Sequence, residues 1–436
     1  MTPSVLEDVK AARPCLWVNP SYQPDSDPAA LADLTTAQSD WARLSPLLKT
    51  LFPELVETQG QITSELLQVD ALKSALGYDA AEYGRVFIKA DHALPVAGSI
   101  KARGGLFEVL MTAYRQAVEA GMLQDTGDVR FLASPEAKQF FATRTIAVGS
   151  TGNLGLSVGI AARALGYRAI VHMSCDAKAW KIARLEALGV EVVLHDSDYN
   201  SAVAAAREAA RKDPLAYFVD DEDSELLFRG YSAAAVELRD QLATFGVQID
   251  ATTPLFLYLP CGIGGAPGGV AYGASGLFGA NVHPFFVEPV QAPSALCQMM
   301  SGLSENVSVY DFGLNNKTEA DGMAVATMSH LVAEKMQHRL AGVFTAEDDN
   351  LFRWLALAKQ TEGLKLEPSA TAGFCGPAFL TNSAHGAAFQ ARHLSDVDIS
   401  RAVHVIWTTG GSFVPDDQFD LFYDQGLVLL NTPHNV

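Results

Sequence analysis

From Thr145 to Val219 the chain alternates short apolar runs with amphipathic stretches, and few folds accept that alternation. Thr145–Val148 predicts a buried strand and Asn153–Leu165 a helix closed by Gly166. The next strand is expected at Arg168–Met173, then a helix at Ala177–Leu188 closed by Gly189, and a strand at Glu191–Leu194. A helix at Ala202–Arg211 and a strand at Ala216–Val219 complete the series. Short crossovers between apolar strands imply parallel pairing with helices on both faces. A second series adds strands at Arg85–Lys89, Leu255–Leu259, Val282–Val287 and Val403–Trp407. The expected class is therefore α/β, two-lobed, with parallel-rich sheets flanked by helices and a small lobe inserted in a larger one. Residues 81–142 and 245–436 are assigned to the large domain and 143–244 to the small one. Residues 1–80 read as an N-terminal extension packing on the large domain. Pro14, Pro20, Pro24 and Pro28 break its opening, and helical patterns follow at Trp41–Leu51 and Ile62–Leu76.

Composition excludes several function classes. A formal charge of −19 over 436 residues disfavours nucleic acid and anionic membranes, because nothing offsets phosphate repulsion. No apolar run is long enough to cross a bilayer, and Met1–Arg13 carries charge where a signal peptide would be apolar, so the cytoplasm is the default location. The five cysteines (Cys15, Cys175, Cys261, Cys297, Cys375) are scattered and odd in number, which fits free thiols better than disulfides. No H-x-x-x-H pair is present, so no dedicated transition-metal site is expected.

The segment Ser99-Ile100-Lys101-Ala102-Arg103-Gly104-Gly105 sets one lysine between a candidate N-cap serine and paired glycines. Leu106, Val109, Leu110 and Ala113 then recur at helical spacing, so a helix should run to about Gly121. A lysine near a helix N-terminus, partly stripped of water, is pushed toward the free amine, the form that condenses with a carbonyl. The same pattern fits a solvated lysine on an amphipathic helix, so its companions decide.

Three loops supply those companions. Pro260-Cys261-Gly262-Ile263-Gly264-Gly265-Ala266-Pro267-Gly268-Gly269 follows a strand and precedes a helix expected at Val270–Phe278. Its five glycines let backbone N–H groups turn onto an anion such as phosphate. It lacks the lysine of a Walker loop, and Pro267 breaks the dinucleotide fingerprint. Gly149-Ser150-Thr151-Gly152-Asn153-Leu154-Gly155 offers hydroxyls, an amide and N–H groups at a helix start, a receptor for a carboxylate. An overlapping Gly155-Leu156-Ser157-Val158-Gly159 matches G-x-S-x-G, the esterase elbow, but places Ser157 inside the helix pattern. Trp407-Thr408-Thr409-Gly410-Gly411 ends the last strand with hydroxyls able to reach a heteroaromatic nitrogen.

Together these features resemble the pyridoxal-phosphate enzymes of fold type II (tryptophan synthase β-like), and in detail the bacterial D-serine dehydratase family. The stretches that carry the resemblance are LPVAGSIKARGG, AVGSTGNLGLS, VHMSCDAKAWK, YLPCGIGGAPGGVAYG, DGMAV, LEPSA and WTTGG, spread over nearly the whole chain. The resemblance implies a Schiff base on Lys101, with Gly262, Gly264, Gly265 and Gly268 holding the phosphate. It implies Asn153 on the ring hydroxyl and Thr409 on the ring nitrogen of pyridoxal 5'-phosphate. Ser150, Thr151 and Gly152 would bind the substrate carboxylate, and Lys101 and Thr151 would carry protons. Asp220-Asp221 either orients the β-hydroxyl, with Asp221 exchanging its proton, or caps the next helix. Glu288 matches the place where related enzymes hold a cation, and since D-serine dehydratases as a group respond to potassium, the resemblance implies potassium or another monovalent cation there. The implied activity is α,β-elimination of D-serine to pyruvate and ammonia, and of D-threonine to 2-oxobutanoate, by a monomer. An L-serine or L-threonine dehydratase, or a serine racemase, would use the same scaffold; an esterase would use Ser157.

Overall fold

A computed structural model describes residues 4–150, 152–175, 177–196 and 199–432. Seven strands form one sheet in the order β1 (Leu16–Val18), β10 (Gly342–Ala346), β9 (Val282–Pro289), β8 (Leu255–Pro260), β11 (Val403–Trp407), β3 (Arg85–Lys89) and β2 (Leu66–Gln68). The five central strands run parallel, while β1 and β2 pair antiparallel at the two edges. Strands β8, β9 and β11 are buried along their whole length, as both-faced burial of a parallel sheet requires. Val86, Ile88, Phe256, Tyr258, Phe285, Val287 and Ile406 form the middle of this core.

The second sheet has the order β6 (Glu191–His195), β5 (Arg168–Ser174), β4 (Thr145–Gly149) and β7 (Ala216–Val219), all parallel. These are the four strands expected from the βα rhythm. The helix Asn153–Leu165 closes on Gly166, whose left-handed φ of 97° suits a residue without Cβ.

The chain divides into two compact units. One gathers the described residues of Met1–Leu31, Ser64–Ala93 and Ala234–Val436; the other gathers Ala32–Thr63 and Leu94–Ala233. Residues 94–142, read from sequence as part of the large domain, thus group with the small sheet. The cause is the helix Phe107–Glu119, which buries Phe107, Val109, Leu110 and Ala113 and packs against helices Asn153–Leu165 and Glu225–Ser232.

The first 80 residues also differ from expectation. Ile62–Leu76 is not one helix: Leu66–Gln68 is a strand and Asp70–Ala75 a short helix. Backbone pairing of Leu67 with Ile88 overrides the helical spacing. Trp41–Leu51 is the end of a longer helix, Pro28–Leu51. Pro28 starts that helix instead of breaking it, since the first turn needs no N–H from it. No helix among the described residues is long and apolar enough to cross a membrane.

Leu257, fully buried on β8 between β9 and β11, tests the larger core. Leu257→Ala should destabilise the chain by about 2–5 kcal/mol, read as a fall in the urea midpoint at unchanged slope.

Candidate active site

Lys101 sits at the N-cap of a π-helical turn, Ala102–Leu106, that leads into the helix Phe107–Glu119. Ser99 was the expected cap, yet its carbonyl and not its hydroxyl is used: Ala102 N–H donates to Ser99 O at 3.0 Å. The Ser99 hydroxyl is buried without a hydrogen-bond partner. The extra residue of a π turn re-aims the side chain that precedes it, a feature common at functional sites. Gly104 and Gly105 permit the turn to pack. A Cβ on Gly104 would lie 2.3 Å from the Tyr231 ring, and one on Gly105 would lie 2.5 Å from Ser157 Oγ.

Lys101 Nζ lies 3.7 Å from Asp221 Oδ2 and 5.8 Å from the Tyr231 ring centroid. Asp221 Oδ1 and the Tyr231 hydroxyl are buried and make no hydrogen bond. Two residues with unpartnered buried polar atoms beside one lysine mark a place where a polar ligand is received. Asp220 and Asp221 part company here. Asp220 takes both arms of Arg207, at 2.7 and 2.8 Å, while Asp221 faces the lysine. Ser224 caps the next helix, its Oγ accepting from Leu227 N–H at 3.0 Å, so the helix-cap reading of the acidic pair falls away.

Ser157 lies inside the helix Asn153–Leu165, fully buried, and its Oγ donates to Lys101 O at 2.8 Å. That hydroxyl anchors the lysine backbone, and the esterase reading loses its nucleophile. In the neighbouring loop Ser150 Oγ accepts from Gly152 N–H at 3.0 Å and from Gly155 N–H at 2.8 Å. Ser150 thus shapes the loop and keeps only its own proton to offer. Thr151 lies outside the described residues. Asn153 is half-buried at the first position of the helix. Gly152 has φ 147°, and a Cβ there would lie 2.3 Å from Lys181 Cδ and 3.2 Å from Lys181 Nζ. Sequence reasoning passed over Lys181, although it is buried and sits inside one of the matching stretches.

In the other unit the glycine loop leaves β8 and becomes helical earlier than expected, with helix Gly265–Phe278 in place of Val270–Phe278. Gly264 holds φ 109°, open to glycine at little strain, and no side chain caps the helix. Gly265 and Ala266 occupy the first turn, where N–H groups lack intrahelical acceptors, and Pro267 has none to waste. Gly268 corrects the sequence reading: its N–H is spent on Gly264 O at 2.8 Å. That leaves Gly264, Gly265 and Ala266 at the helix start as the positions whose N–H groups would face an anion, beside the Gly262 that precedes them. Such a helix start fits a phosphate through backbone dipoles alone.

Distant motifs meet at this loop. A Cβ on Gly262 would come 2.9 Å from Gly322 O, and one on Gly322 would come 3.4 Å from Ser369 Oγ. Glu367 N–H donates to Gly410 O at 3.1 Å, bringing the Trp407–Gly411 segment alongside. Thr408 is structural: its hydroxyl donates to Lys89 O at 3.0 Å and stands 2.7 Å from His92 Nδ1. Burial pushes His92 down to about 4, so the ring is neutral and its Nδ1–H is the donor. Thr409, the next residue, is half-buried.

Glu288 is fully buried at the end of β9, where its oxygens accept from Ala295 N–H at 2.7 Å, Leu296 N–H at 2.9 Å and Ser294 Oγ at 3.3 Å. These donors account for the carboxylate as a cap on helix Ser294–Ser301.

A lysine beside an acid in one unit and a backbone anion cup in the other agree with what the chain is similar to. It matches the family described as "Pyridoxal-phosphate dependent enzyme" over residues 58–387 and belongs to that family. It is 60% identical to a "Probable D-serine dehydratase" of Sinorhizobium medicae, over 96% of either chain. A protein of the same description from Burkholderia lata is 50% identical, covering 98% of this chain and 95% of the other. In fold it is similar to diaminopropionate ammonia lyase from Escherichia coli, solved in complex with D-serine, at TM-score 0.70 and 18% identity over 95% and 97% of the two chains. The likeness in fold extends to threonine deaminase isoform 2 from Solanum lycopersicum, at TM-score 0.62 and 21% identity over 94% and 97% of the two chains.

The contact between Gly105 and Ser157 can be tested directly. Gly105→Ala should lower thermal stability and the yield of cofactor-bound protein, because the new methyl meets Ser157 in a filled interior; absorbance of bound pyridoxal phosphate and Tm report both. Glu288 offers a second check, since burial raises it to about 8 against the pull of its three donors. A raised folded-state value favours the protonated acid, so its contribution is full below the unfolded value near 4.5 and is lost as pH climbs through 8. Urea titrations should show a loss on the order of a few kcal/mol across that window, and Glu288→Gln should flatten this part of the profile.

Proposed function

We propose that this chain catalyses the α,β-elimination of D-serine to pyruvate and ammonia. The observation that carries the reading is the Lys101–Asp221 pair at 3.7 Å, with Asp221 Oδ1 and the Tyr231 hydroxyl unpartnered beside it, in a chain 60% identical to a "Probable D-serine dehydratase" along nearly its whole length. Pyridoxal phosphate, when bound, supplies the electron sink that makes loss of the Cα proton feasible.

The protein's part is to bind and to move protons. Lys101 would hold the cofactor through its amine, the N–H groups of Gly264, Gly265 and Ala266 its phosphate, Asn153 its ring hydroxyl and Thr409 its ring nitrogen. A neutral hydroxyl at that nitrogen gives a weaker sink than a carboxylate, which suits elimination over transamination. The loop Ser150–Gly152 receives the substrate carboxylate, with the Ser150 proton as a donor and Thr151 assigned beside it. Lys101 Nζ takes or returns a proton on one face, and Thr151 is assigned the other. Asp221 Oδ2, beside Lys101 Nζ, exchanges that proton and serves the departing β-hydroxyl, which leaves as water. The unsaturated amine so released hydrolyses to pyruvate and ammonia. D-threonine, one methyl larger at Cβ, gives 2-oxobutanoate by the same steps. Scattered, odd-numbered cysteines support a cytoplasmic location and the charge of −19 a small-molecule substrate; the monomer is part of the same proposal and rests on the family resemblance.

The deciding assay is 2-oxo-acid release from D-serine and L-serine separately, with pyridoxal phosphate and potassium present. Pyruvate mainly from the D-enantiomer is expected; pyruvate mainly from L-serine would move the protein to the L-hydroxyamino-acid dehydratases. Lys101→Ala should abolish the visible absorbance of bound cofactor and cut turnover by about 10²–10⁴-fold or more. Thr409→Asp should slow elimination while cofactor remains bound, and unchanged turnover would remove Thr409 from the ring nitrogen.

A further inference from the structure

The helix that follows Lys101 carries a buried acid to which the proposed elimination gives no part. Glu108, seven positions on, is fully buried, with Oε1 accepting from Tyr217 OH at 2.9 Å and Oε2 from Ser224 Oγ at 2.8 Å. Ser224 closes the turn that holds Asp221, since its N–H donates to Asp220 O at 2.9 Å. Asp223 N–H donates to the same oxygen at 3.2 Å. Tyr217 lies on β7, the strand that enters this turn. Glu108 therefore grips the Asp221 turn on both sides. Asp221 Oδ1 has no hydrogen bond of its own, so the placement of this carboxylate depends on the turn that carries it.

We propose that Glu108 is a positioning residue for the elimination: through Ser224 and Tyr217 it fixes the turn that sets Asp221 against Lys101. The proposal rests on the roles assigned to Lys101 and Asp221 in that reaction. It also gives the site a pH dependence. Burial lifts Glu108 to about 7, the Ser224 and Tyr217 hydroxyls opposing and the charges of Asp221 and Asp220 adding. Below that value Glu108 is an uncharged acid; above it a second negative charge appears beside the turn that carries Asp221.

The other charged groups nearby are engaged elsewhere or act on the partners. Asp220 and Glu222 are paired with Arg207, and Arg229 on the following helix lies 3.9 Å from Asp40. Arg115, on the same helix as Glu108, acts on Tyr217, and Tyr231 feels both Asp221 and Glu108. Arg103 on the π turn stands 3.5 Å from Ile62 O. On the remaining elements packed here, Arg163 donates to Tyr167 O and Arg130 pairs with Asp128.

The test compares wild type, Glu108→Gln and Glu108→Ala as cofactor-loaded proteins. Steady-state rates on D-serine and the absorbance of bound pyridoxal phosphate are followed from about pH 6 to 9, spanning the carboxyl's titration. Glu108→Ala should lower kcat by about 10-fold or more with KM within about threefold, because the turn loses its anchor. Glu108→Gln should keep kcat within about threefold near pH 6.5 and lose the near-neutral inflection in both readouts. Full activity in Glu108→Ala overturns the proposal, as does a near-neutral inflection that persists in Glu108→Gln. Should Glu108→Ala not fold, Tyr217→Phe removes one of the two bonds, and a kcat equal to wild type then overturns it. If wild type itself releases no pyruvate, the proposed function fails, while the absorbance titration still decides the role of Glu108.

Discussion

The close approach at Gly104 and Gly105 is the constraint on which the lysine side of the site depends. A methyl at either position would fall within 2.3–2.5 Å of Tyr231 or Ser157, in an interior with no room to yield. A third glycine answers them, since a Cβ on Gly230 would meet Arg103 O at 2.5 Å. Because these backbones touch, Ser157 can hold the Lys101 carbonyl and the Tyr231 ring can stand beside the amine. The π turn is then the shape left to the chain, and it delivers Lys101 to Asp221. A solvated lysine on a helix surface would need none of this packing.

The other unit solves a different problem with the same material. A chain of net charge −19 must receive an anion, and no Lys or Arg occurs between Arg239 and Lys317 to help. Backbone N–H groups at the start of helix Gly265–Phe278 supply the positive potential instead. Gly262 lies against Gly322 O, and Gly411 against the backbone of Lys365–Glu367, so these loops pack by close backbone approach. Buried carboxyls such as Glu288 and Glu108 serve as hydrogen-bond acceptors that pin helix starts and turns, each near its point of neutrality.

Much of this was legible because it is local. The helix Asn153–Leu165, its glycine stop and the strands Ala216–Val219 and Val403–Trp407 follow from apolar spacing and turn residues, which need no partner to be read. The edge strands β1 and β2 were not legible, since three residues acquire strand geometry only from the neighbour they pair with. Gly268 could not be told from Gly264 until the helix start was known. Glu108 left one signal, an acid inside the apolar pattern of the helix after Lys101, and its burial alone gives that signal meaning.

The sequence by itself determined the central strands and the helices between them, the α/β class and the residue types able to do the chemistry. Periodicity and glycine placement are properties of neighbouring residues, and those are written along the chain. Tertiary structure decided how adjacent candidates are engaged: Asp221 faces Lys101 while Asp220 pairs with Arg207, Gly268 N–H is spent on Gly264 O, and Ser157 holds the Lys101 carbonyl. Such choices turn on distances of about 3–4 Å between residues far apart in sequence, and side-chain chemistry at that range is fixed only when the chain has packed.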